Sequence, residues 1–127
     1  MNLYRFDLDL RIVEKGQCDC AGGMATFEEC YVNSLKSYKS GEEAVAATSF
    51  GLSKSNTDFI ELSCHGHDSI TAHSDRLCYS SRLSKTFGLK HHFLIKGNKP
   101  QGLEIIQDYF SMERPAFEAK YVDFLCR

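Results

Sequence analysis

Between Leu3 and Val13 the chain alternates side-chain character at every step. Tyr4, Phe6, Leu8, Leu10 and Ile12 fall on one side, and Arg5, Asp7, Asp9 and Arg11 on the other. A period of two sends successive side chains to opposite faces of a pleated strand, so the segment reads as one half-buried β-strand that Lys15-Gly16 ends. This commits the N-terminal part of the chain to a sheet with one wet face. Asp7 and Asp9 share that face, but Arg5 and Arg11 flank them, so ion pairing rather than acid–base catalysis is the expected role.

A second alternation permits a stricter test. Ile60, Leu62 and Cys64 alternate with Glu61, Ser63 and His65, and Ile70 and Ala72 with Thr71 and His73. Paired residues must share a face. A two-residue loop would oppose His65 to Ile70 and mix the faces. A three-residue loop, Gly66-His67-Asp68, instead pairs Cys64 with Ile70 and Leu62 with Ala72 inside, and Glu61 with His73 outside. Asn56-Thr57-Asp58 is turn chemistry before this hairpin. Ser74-Asp75 is expected to turn the chain into a short strand from Arg76 to Tyr79, and His91 to Lys96 reads as another strand.

Helical spacing fills the gaps. Thr26-Phe27-Glu28-Glu29 has the form of a capping box. It is followed by an apolar face of Phe27, Cys30, Tyr31, Leu35 and Tyr38. Ser40-Gly41-Glu42-Glu43 repeats the box before Ala44 to Ala47, although Val45 to Phe50 also tolerates extension and leaves helix or strand open for 41–50. Ser80 or Ser81 is placed to cap a short helix through Leu83 and Phe87, with Gly88 as its stop. The segment from Gln101 to Met112 carries two apolar stripes, Leu103, Ile106 and Phe110 beside Ile105, Tyr109 and Met112. Together they are wider than the roughly 100° one buried face requires. Pro115 opens a last amphipathic segment with Phe117, Tyr121, Phe124 and Leu125 on one side. The expected architecture is α+β, a mostly antiparallel sheet of four to five strands with helices packed on one face, in one domain spanning 1–127.

At 127 residues with 43% hydrophobic and 25% charged side chains, the chain has the composition of an ordinary globular domain. No apolar run reaches the ~20 residues of a membrane span. The alternating N-terminus lacks the apolar core of a signal peptide, and a cytoplasmic location is expected. Six cysteines would then stay reduced, with Cys30 and Cys64 acting as small hydrophobes on apolar faces. Cys64, His65 and His73 invite a metal or thiol reading. Yet neighbours on a strand point apart, and neither Cys18-Asp19-Cys20 nor Cys64-His65-Gly66-His67 has zinc-ligand spacing, so no metal or cofactor is expected. Gly51-Leu52-Ser53-Lys54-Ser55 lacks the glycines of a phosphate loop.

Charge is segregated along the chain. Residues 1–75 hold six basic and twelve acidic side chains. Residues 76–103 hold Arg76, Arg82, Lys85, Lys90, Lys96 and Lys99 and no acid. That basic run could bind an anion or nucleic acid, but the net charge of −2 gives no general support for nucleic-acid binding. The favoured expectation is a non-enzymatic protein-interaction module, an adaptor or inhibitor or a homo-oligomer. Its interface would be the surplus stripe Ile105, Tyr109 and Met112, because apolar surface that a core cannot absorb calls for a partner.

Overall fold

Asp7 breaks the N-terminal alternation. Its carboxylate Oδ1 accepts from the backbone N–H groups of Asp9 and Arg11, both at 2.9 Å, while Leu10 takes a left-handed φ of 61°. A short acidic side chain that bonds its own downstream backbone makes a turn, and the segment folds back as a hairpin instead of running on as one strand. Leu8, Leu10 and Ile12 are accordingly 65, 48 and 56% exposed, not buried with Tyr4. Alternation continued through the turn because hairpin tips also accept apolar side chains. Residue pattern alone did not separate the two cases.

In the computed structural model, which describes residues 1–36, 41–78 and 91–121, the hairpin supplies β1 (Asn2–Phe6) and β2 (Ile12–Gln17). Then follow α1 (Cys20–Ser34), α2 (Gly41–Thr48), β3 (Ser49–Ser55), β4 (Asp58–Cys64), β5 (Ile70–Cys78), β6 (His91–Gly97), α3 (Lys99–Ser111) and α4 (Arg114–Lys120). The strands form an antiparallel sheet in the order β2-β1-β3-β4-β5-β6. The arrangement is α+β as expected; splitting the first segment adds a strand, fusing 70–73 with 76–79 removes one and β3 adds another, which gives six described strands. No helix among the described residues is long and apolar enough to cross a membrane.

The hairpin register of β4 and β5 is the one parity required: Cys64 opposes Ile70, Leu62 opposes Ala72 and Glu61 opposes His73. Gly66, His67 and Asp68 all take positive φ, and the His65 N–H closes the loop on the Ser69 carbonyl at 2.9 Å. Beyond it, Ser74-Asp75 does not turn. β5 runs on to Cys78, and its pairing with β6 is irregular between Ser74 and Leu77. An irregularity of this kind absorbs residues within a strand where a turn would end it. Residues 41–50 answer to both earlier readings, since α2 ends at Thr48 and β3 starts at Ser49.

One face of the sheet is the core. Phe50, Leu52, Ile60, Leu62, Cys64, Ile70, Ala72 and Ile95 bury against Phe27 and Cys30 of α1 and Ile105, Ile106 and Tyr109 of α3. The helix α1 starts earlier than the Thr26 box implies. Asp19 is its cap, accepting from the Gly22 N–H at 2.7 Å, and Thr26 donates to the Gly22 carbonyl from inside the helix. Gly22-Gly23 lies within the helix, and Phe110 and Ile106 of α3 press on Gly23 where a side chain would stand. Helical glycine costs up to ~1 kcal/mol against alanine, and tertiary packing overrides that preference here. Leu35, placed on the buried face, is 61% exposed just past the helix end. Tyr38, the 80–88 helix, Phe124 and Leu125 lie outside the described residues.

The wide apolar face of α3 is closed by its own chain. Asn98 and Gln101 form the reciprocal cap that starts the helix. Ile105 is 1% and Tyr109 0% exposed, and Met112 is half-buried. The cover is α4, whose Phe117 ring meets Tyr109 edge-on at 5.4 Å and lies tilted against Tyr121 at 5.0 Å. Lys120 and the Tyr121 hydroxyl both reach Asp108, each at 2.6 Å, and hold α4 along α3. Burying one such side chain contributes roughly 1.5–3 kcal/mol, so the second stripe needs no other molecule to account for it.

Candidate functional site

The face opposite the core carries its own pattern. The pairings Glu14–Tyr4, Tyr4–Gly51, Gly51–Glu61 and Glu61–His73 put one row of side chains across five strands. Gly51 is what makes the row work. A Cβ there would lie within the Tyr4 ring, so only glycine lets the ring fold across β3. The phenol then spans a strand and donates to Glu61 Oε1 at 2.9 Å. The other carboxylate oxygen of Glu61 meets His73 Nε2 at 3.1 Å. Glu61 is therefore held from both sides in one orientation.

Neighbouring rows frame this one. Phe6 pairs with Ile12, and its ring meets Tyr4 edge-on at 5.8 Å. Phe59 opposes Ser53. Between them lies an open cleft of about 310 Å³ with Tyr4, Ile12 and Phe59 as apolar walls and Glu14, Ser53, Ser55, Asn56 and Glu61 as acceptors. None of these residues is basic. Glu14 is exposed and makes no hydrogen bond or ion pair among the described residues. No described helix lines this cleft. Lys96 stands on the same face toward the other edge, paired with Thr71, whose hydroxyl shares a hydrogen bond with His65 Nε2 at 3.0 Å.

The edge strand β2 is exposed along its whole length, Ile12 and Val13 included. Gly16 at φ +91° and a register shift between Leu3 and Tyr4 kink it, and Lys15 sits at the kink. A bulge and an edge lysine are the devices that discourage strand-to-strand association.

The other expected sites separate. Cys64 lies in the core, whereas His65 and His73 stand on the other face of the sheet. Among the described residues no group of three metal-ligating side chains converges. Desolvation pushes the Cys64 thiol up to about 12 and the Cys30 thiol up to about 11, the reverse of what a nucleophile needs. Of the proposed anion-binding residues, Arg82, Lys85 and Lys90 lie outside the described residues, and Arg76 is placed only by its backbone on β5. Lys99 is engaged elsewhere. It pairs with Glu28 at 2.8 Å, a bond that raises its pKa, and sits 4.7 Å from the centre of the Tyr31 ring, joining α3 to α1. Asp7 and Asp9, no longer neighbours on a strand, belong to the hairpin turn.

The sequence reading reached Glu61 and His73 but missed Tyr4 as their partner and Glu14 as the end of the row. Placing Tyr4 on the Leu8–Ile12 face hid it. The available signal was Gly51 in an otherwise apolar strand, since an isolated strand glycine often marks a close approach. No family model, curated protein or solved structure matches the chain.

Proposed function

We propose that this chain is a non-enzymatic protein-interaction module whose partner docks on the outer face of the sheet, across β2, β1, β3 and β4. The observation that carries the reading is the asymmetry of that sheet. Helices α1, α3 and α4 pack on one face, while the other presents Phe6, Ile12 and Phe59 around the buried Tyr4, with Glu14, Glu61 and His73 beside them. Aromatic rings ringed by fixed polar groups are the composition of a binding surface. The reading does not rest on Ile105, Tyr109 or Met112. A second copy pairing edge to edge is disfavoured by the kinked, lysine-bearing β2, so the partner is a different protein laid on the face.

Matched surface variants test this. Ile12 and Val32 are exposed to similar degrees, 56 and 53%, with Ile12 on the proposed surface and Val32 on α1. Ile12→Lys is expected to abolish capture of a specific partner from the native cell extract, and Val32→Lys to retain it. Equal capture by both variants overturns the reading. A dimer mass by light scattering that Ile12→Lys alone reduces to a monomer would instead make the partner a second copy.

A further inference from the structure

The geometry points to an arginine side chain of the partner as the occupant of the cleft beside Tyr4. This deepens the reading above and rests on it. The cleft, at about 310 Å³, lies at the lower limit for ligand pockets and suits one extended side chain. Its chemistry selects the charge. Two carboxylates, Glu14 and Glu61, flank it and no basic residue lines it, so the charge of the cleft favours a cation over an anion. The two carboxylates are not equivalent. Glu61 is already held by the Tyr4 hydroxyl and His73, whereas Glu14 has no partner among the described residues. Glu61 thus serves as a fixed charge that orients the wall, and Glu14 as the acceptor left for an incoming donor. Ile12 and Phe59 offer apolar surface to an alkyl stem, and an aromatic face also attracts a guanidinium. Arginine satisfies all three demands at once: an apolar stem, a planar multi-donor head and a permanent positive charge.

The probe is N-acetyl-arginine amide, titrated into the full chain and followed residue by residue by NMR, with the neutral citrulline analogue and sodium sulfate as controls. Arginine amide is expected to shift signals of Tyr4, Glu14, Ser53, Phe59 and Glu61 together, and the two controls to leave them unmoved. Glu14→Gln, at an exposed position that supports no other contact in the described structure, should weaken binding about tenfold, the loss of one charge-assisted hydrogen bond. Shifts spread over surface carboxylates generally, or an affinity unchanged in Glu14→Gln, would overturn the assignment. The two readings fail separately. Arginine seated in the cleft while Ile12→Lys captures partner normally upholds the cleft and refutes the docking face. Capture lost in Ile12→Lys with no arginine in the cleft does the reverse.

Discussion

Arg114 and Glu61 each gather polar neighbours, one on the core side of the sheet and the other on its outer side. Arg114 is only 5% exposed. Its guanidinium donates to Glu118 at 2.8 Å, to Ser74 Oγ at 2.9 Å, and to the Phe59 carbonyl and Asp58 Oδ1 at 3.2 and 3.3 Å. The Tyr109 hydroxyl joins at the Asp58 carbonyl, 2.8 Å away. The cluster pins α3 and α4 to the start of β4. Glu61 binds its partners at similar distances, yet the His73 side chain beside it is 39% exposed. Burial makes the first set structural, because removing one member leaves charge stranded in low dielectric. The second set borders water through His73, so solvent can replace that one contact when it is lost.

The largest effect expected is at the buried cluster. Arg114→Met keeps most of the apolar bulk but strands Asp58 and Glu118, and should lower the unfolding free energy by about 3 kcal/mol in denaturant titration. A loss no larger than that of an exposed ion pair would break the comparison. Gly51→Ala should cost about 2 kcal/mol, because the new methyl displaces the Tyr4 ring. Combining it with Tyr4→Ala should recover part of that loss, and a double-mutant cycle measures the coupling.

Alkali probes the core face itself. An exposed thiol titrates near 9.0, as Cys30 and Cys64 do when unfolded, and burial pushes them up to about 11 and about 12 when folded. Raised folded values favour the protonated native state. Their contribution is therefore complete below pH 9 and lost as pH rises through the folded values, at about 1 kcal/mol per pH unit for each thiol between 9 and 11. Stability measured in Cys30→Ala and Cys64→Ala should show a shallower alkaline slope, and an unchanged slope would place the thiols in a wetter setting than the core. The smallest effect belongs to the outer row. His73→Ala should change stability by under ~1 kcal/mol, as partly exposed pairs do. A cost rivalling that of Arg114→Met would show the outer row to be a structural element too.

The β4–β5 register, with Glu61 against His73, was legible because parity and loop length are local constraints that leave one solution. The N-terminal hairpin was not, since Leu8 and Leu10 prolong the alternation through a turn made by the carboxylate of Asp7. The early start of α1 was hidden by Gly22-Gly23, against which Phe110 packs from a distant segment.

Alternation and spacing, both properties of neighbouring residues, thus determined an antiparallel sheet with helices on one side and the pairing of its central strands. Which apolar surface stays in water was decided only in three dimensions. Tyr109 is sealed by Phe117, the Tyr4 ring finds Glu61 across Gly51, and Arg114 collects acceptors from β4, β5 and α4. The physical reason is that burial and hydrogen bonding depend on what lies across the core or across a strand. Those neighbours are set by chain packing, and no local period encodes them.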